Sequence, residues 1–232
     1  QNRARATRRR TRQGGEAVSH PTEKDFLGDV AEHAMTVIRD DELHRHIRFR
    51  KPGTLYMSFD LITWPGHLCY TGDMGTYVFQ RLEDMFQFFR EYRVYSNSRG
   101  NTRLAINPSY WGEKLESIDR ADGYKNWSME RFQEAVKDCF DSFTEGWEDT
   151  EKSADLWEQI EQDVLRAEDQ YEAVEAIRSF TTTITDRDVF RDFWEHTFDE
   201  YSYRFIWCCY ALAWGIKQYD AMKMASAGEV KP

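Results

Sequence analysis

The chain lacks the segments and motifs that would assign it quickly. Its most apolar charge-free run, Phe205 to Ile216, has 12 residues, short of the roughly 20 that a membrane-spanning helix needs. The N-terminus has no apolar signal-peptide core, and the chain begins at Gln1, as a fragment or processed chain does. Four cysteines are present (Cys69, Cys139, Cys208 and Cys209) with no CxxC spacing. Adjacent Cys208 and Cys209 cannot point the same way from a helix. Neither a zinc cluster nor a disulfide scaffold is therefore expected, and reduced thiols in a cytoplasm are. There is no HExxH, no Gly-Lys-Ser/Thr phosphate loop and no internal repeat. No metal, cofactor or membrane partner is expected.

What is present is charge and aromatic bulk. The 232 residues are 41% hydrophobic and 15% aromatic, enough for a packed core. The net charge is −10, which argues against nucleic-acid binding by the folded body. Residues 1–20 are the exception, with six Arg and one Glu. They read as a disordered basic tail, the one part suited to nucleic acid or an acidic partner. Residues 113–200 hold 26 acidic and 10 basic residues. Such a stretch reads as solvated helix faces or as a docking surface for a basic partner.

The periodicity predicts an α+β fold. Thr22-Glu23-Lys24-Asp25 resembles a capping box, and a helix to about Asp40 would present Phe26, Leu27, Val30, Ala34, Val37 and Ile38. A small three-stranded antiparallel sheet follows, then a helix over 80–92, so 21–93 reads as helix, sheet and helix. Residues 94–107 read as a loop. Asn107-Pro108 opens a helical region over 108–222, with helices at 108–119, 129–145, 151–179 (breaking near Ala167), 187–198 and 201–222. A flexible tail over 223–232 ends the chain. The sheet and the helices should share a core, since three strands bury too little alone. The surplus aromatics Trp207, Tyr203, Tyr210 and Trp214 suit an interface.

The sheet yields the candidate site. Joining strands 43–51 and 54–62 through Lys51-Pro52-Gly53 pairs Arg48 with Tyr56, His46 with Ser58 and His44 with Asp60. A second turn at Trp64-Pro65-Gly66 sets Asp60 against Tyr70. The predicted polar face carries a row of His44, Asp60 and Tyr70, flanked by His46, Ser58, Arg48 and Tyr56. An Asp beside a His suits general acid/base work, but no activated nucleophile stands out, and a hydrogen-bonded cross-strand ladder accounts for the same residues. Gly72, Asp73 and Gly75 form a candidate tight loop whose backbone can approach another group closely.

The segment from about Leu43 to Arg90 resembles uncharacterised phage and prophage proteins, through HIRFRKPG (46–53), FDLITWPG (59–66) and CYTGDMGTY (69–77). The resemblance implies a mobile-element accessory protein in a bacterial cytoplasm and carries no catalytic residues. The leading expectation is a binding protein that engages a host protein or nucleoprotein complex through its acidic surface, in counter-defence or host takeover. The alternatives are an enzyme or small-ligand binder using the sheet face, and a structural protein that oligomerises through its aromatic helices.

Overall fold

A computed structural model describes residues 20–90 and 104–228. The basic tail expected over 1–20 therefore lies outside the described residues except for His20, as do most of the loop at 94–107 and the last four residues. The fold is α+β, and the sheet is larger than the sequence suggested. Six antiparallel strands run in chain order: β1 (Ala34–Asp41), β2 (His44–Arg50), β3 (Phe59–Trp64), β4 (His67–Gly72), β5 (Gly75–Gln80) and β6 (Leu115–Ser117).

The first helix, α1 (Glu23–Asp29), is shorter than expected. Its capping box is real: Thr22 Oγ1 accepts from the Asp25 amide, and Asp25 accepts from the Thr22 amide. Beyond Val30 the chain turns, and Thr36, Val37 and Ile38 enter β1 instead of continuing the helix. β-Branched residues lose little in a strand and more in a helix, and β2 supplies the partner.

Both predicted registers shift. β2 and β3 pair Phe49 with Phe59, Ile47 with Leu61 and Arg48 with Asp60, so residues 51–58 form a longer connection. Gly53 (φ 80°) and Met57 (φ 53°) bend it, and Tyr56 and Ser58 leave the sheet. The shift is even-numbered, so each side chain keeps its predicted face. At the next turn Trp64 pairs with His67, leaving Pro65-Gly66 as a two-residue turn. The positive φ of Gly66 (82°) suits the second central position of a type II turn. This odd-numbered shift turns β4 over and sends Tyr70 into the core.

α2 (residues 85–90) and α3 (Pro108–Gly112) lie between β5 and β6. The Asn107 cap is as expected, but its helix is one turn long, not 108–119. α4 (Met129–Thr144) is capped by Ser128, and the expected break separates α5 (Thr150–Asp163) from α6 (Gln170–Ser179). The 187–198 helix does not form. Asp188 accepts from the Phe190 amide, turns follow, and only a 3-10 turn at Phe193–Glu195 is helical. Two short strands, β7 (Lys125–Trp127) and β8 (Asp199–Tyr201), interrupt the region expected to be all helix. α7 (Tyr203–Gly228) extends through residues expected as a flexible tail.

α7 closes the main core. Phe205, Trp207, Leu212 and Ile216 pack with Phe49, Phe59, Leu61, Tyr70, Tyr77 and Phe26. A Cβ on Gly215 would lie 2.9 Å from Leu61 and 3.1 Å from Phe49, so the helix crosses the sheet at its closest there. Of the aromatic surplus expected at an interface, Trp207 and Trp214 contribute to the core, while Tyr203 and Tyr210 are only partly buried. Trp207 is fully buried and donates to Asp29 (2.9 Å), and Trp214 packs on Phe26, Phe49 and Phe59. A second core joins α4, α5, α6 and the 189–193 turns through Phe132, Val136, Leu156, Ile160, Ile177 and Phe193.

Candidate functional site

With α7 on one face of the sheet, the alternate residues of β2 to β5 point the other way. The neighbours His46, Ile62, Cys69 and Val78 form one row across the strands, and Arg48, Asp60, Thr71 and Thr76 the next. Here lies the most ordered polar cluster of that face. Arg48 donates to Asp60 through two nitrogens, Nε to Oδ1 (2.9 Å) and Nη2 to Oδ2 (2.8 Å). His46 Nε2 donates to the same Oδ2 at 2.7 Å. Burial alone would raise the Asp60 pKa, but the hydrogen bonds and charges of Arg48 and His46 outweigh it and hold the carboxyl below its usual value. Both carboxylate oxygens are already engaged, so Asp60 is poorly placed as a general base.

The other members of the predicted row are elsewhere. His44 is exposed at the start of β2, opposite Asp41. Tyr56 is 65% exposed in the 51–58 connection, and Ser58 donates its hydroxyl to the Leu55 carbonyl. Tyr70 is fully buried between sheet and α7, and its hydroxyl has no partner there. The structure thus brings together His46, Arg48 and Asp60, and separates them from His44, Tyr56, Ser58 and Tyr70.

The 72–75 turn does approach another backbone closely, but that backbone is the chain's own. A Cβ on Gly72 would sit 2.2 Å from the Ser58 carbonyl oxygen. The Asp73 amide donates to that oxygen, and the Asp73 carboxylate accepts from the Met57 amide, both at 2.9 Å. Gly75 (φ 103°) lies against Asp119. These residues lock the 51–58 connection to the hairpin.

The acidic half behaves differently. Between Glu130 and Asp199 there are 21 acidic and 7 basic residues, and every one of the acids is exposed. Among the described residues only Asp141, with Lys137, and Glu175, with Arg178, are in ion pairs. Eleven of these carboxylates lie on α4 to α6, whose inner faces form the second core, and the other ten lie in the connections and in the 186–199 segment. No three metal-ligating side chains converge among the described residues, and no described helix is long and apolar enough to cross a membrane.

One pairing escaped the sequence. Cys139 on α4 and His196 after the 3-10 turn are 57 positions apart, yet Cys139 Sγ lies 3.6 Å from His196 Nε2. Only the tertiary fold of the 187–198 segment, misread as a helix, could reveal it. No protein-family model, curated protein or solved structure matches the chain.

Proposed function

We propose that the chain is a binding protein that docks a basic partner on the acidic surface of α4 to α6 and the segments that connect and follow them. The supporting observation is the run of 21 exposed carboxylates against 7 basic residues between Glu130 and Asp199, nearly all without a cation beside them. Such a surface steers basic partners toward it and repels acidic ones. The rival use of the sheet face as an active site loses support, because the half-buried Asp60 carboxylate is already held by Arg48 and His46. The resemblance of residues 43–90 to phage and prophage proteins adds the biological setting. The partner would be a host protein or nucleoprotein complex in a bacterial cytoplasm, and the purpose counter-defence or host takeover.

The test is capture from bacterial extract at about 0.1 M salt, with release at about 1 M, where screening shortens to a few ångströms. Glu148→Gln, Glu151→Gln and Asp155→Asn together replace three exposed carboxylates and should weaken capture without unfolding the chain. Binding that survives both the high salt and these substitutions would remove the proposal, as would the absence of any basic partner.

A further inference from the structure

We propose that Cys139 and His196 form a thiol–imidazole pair that captures small, neutral α,β-unsaturated carbonyl compounds in the cleft between α4 and the 186–196 segment. This reading is independent of partner docking. The cleft has a volume of about 510 Å³ and is lined by Asp138, Cys139, Ser142, Arg187, Asp192 and His196, among others. Cys139 is half-buried and His196 exposed, with sulfur and imidazole nitrogen 3.6 Å apart. A nucleophile within reach of a base is the minimal arrangement for thiol addition.

The other thiols are not equivalent. Cys208 and Cys209 are fully buried. Cys69 is half-buried and its sulfur lies 3.7 Å from the Tyr70 carbonyl oxygen, with no imidazole in hydrogen-bond contact with it among the described residues. Burial first, then Asp138 and Asp192, push the Cys139 thiol pKa up. The thiol is therefore neutral at rest, and its reactivity depends on a base.

The step balances without a co-reactant. Sulfur attacks the β-carbon and forms the S–C bond as its proton passes to His196 Nε2. The π-electron pair moves onto the α-carbon and carbonyl oxygen as an enolate. The imidazolium then returns the proton to the α-carbon, leaving a thioether. Asp138, Asp188, Asp192 and Glu195 share the cleft with Arg187 and Arg191, and this four-to-two balance favours neutral over anionic electrophiles.

The experiment treats the native chain separately with neutral N-ethylmaleimide and anionic 3-maleimidopropionate, and follows each cysteine by mass spectrometry. Cys139 should react at least about tenfold faster than Cys69, and His196→Ala should slow Cys139 by about tenfold or more while leaving Cys69 unchanged. Protection of Cys208 and Cys209 reports an intact fold, and His196→Gln serves if that protection is lost. The anionic reagent should lag at Cys139. Labelling of Cys139 no faster than Cys69, or a rate indifferent to His196, overturns the pair. Equal rates for the two reagents overturn the assignment to neutral electrophiles.

Discussion

Arg48 and Asp60 meet across β2 and β3 in a two-point ion pair, and His46 shares one of its carboxylate oxygens. Asp60 is half-buried and Arg48 reaches into solvent. Asp60→Asn keeps the shape and removes the charge, leaving Arg48 and His46 facing each other. It should cost about 1–2 kcal/mol, read as a lower denaturation midpoint with an unchanged denaturant slope. A variant as stable as the parent would show that the cluster contributes nothing to the fold.

Acid should destabilise the chain through the same type of group. Asp40, Asp60 and Asp84 are each held below the usual carboxylate value, despite burial that pushes them up, by bonds from Tyr219 and Lys223, from Arg48 and His46, and from Arg45. A depressed folded-state pKa gives stability that is complete above the unfolded value of about 3.9 and is lost as pH falls through the folded values. Midpoints measured from pH 7 downward should stay level until near that value and then fall, more shallowly for Asp60→Asn. A midpoint that rises on acidification contradicts this sign.

Tyr70 separates a site role from a core role. Its hydroxyl is buried with no partner among the described residues, which is a standing cost. Tyr70→Phe should leave stability unchanged or raise it by up to about 1 kcal/mol. A clear loss would mean that the hydroxyl has a partner, such as a buried water.

Gly72 tests the lock between the hairpin and the 51–58 connection. The Ser58 oxygen that a Cβ would meet at 2.2 Å belongs to backbone and cannot rotate away. Gly72→Ala should therefore cost about 3 kcal/mol or more. It should also speed proteolysis within 51–58 before global unfolding, as limited digestion would detect. An unchanged digestion pattern argues against the lock.

Salt should stabilise the free chain. The excess of 14 acidic over basic residues between 130 and 199 repels itself, and screening relieves that repulsion within a Debye length. The thermal midpoint should rise from low to about 0.5 M sodium chloride. A fall would show that ion pairs, not repulsion, dominate the surface.

Much of this architecture was legible, for identifiable reasons. Alternation marked β2 to β4, and Thr22, Asn107 and Ser128 marked helix starts, because strand parity and capping are local. β1 was lost because Phe26, Val30, Val37 and Ile38 also fit a helical spacing, and pairing with β2 decided the matter. β6, β7 and β8 span three residues each, too few for any period to show. The candidate face survived an even-numbered register shift at 51–58, so His46, Arg48 and Asp60 stayed together. It lost Tyr70 to a one-residue difference at Pro65-Gly66. The contact of Cys139 with His196 depends on how the turns before residue 196 pack, and no local signal encodes it.

The helix that covers the sheet is also the last described element to be synthesised. Strands β1 to β5 are complete by Gln80, but Phe205, Trp207, Leu212 and Ile216 belong to α7, which starts at Tyr203. At about 5–20 residues per second, the ribosome leaves the apolar face of five strands uncovered for roughly 6–25 s. Nascent chains halted before residue 203 should therefore bind chaperones and aggregate on release, whereas chains that include α7 should not. Truncations that remove α7 are accordingly unsuited to studying the sheet alone.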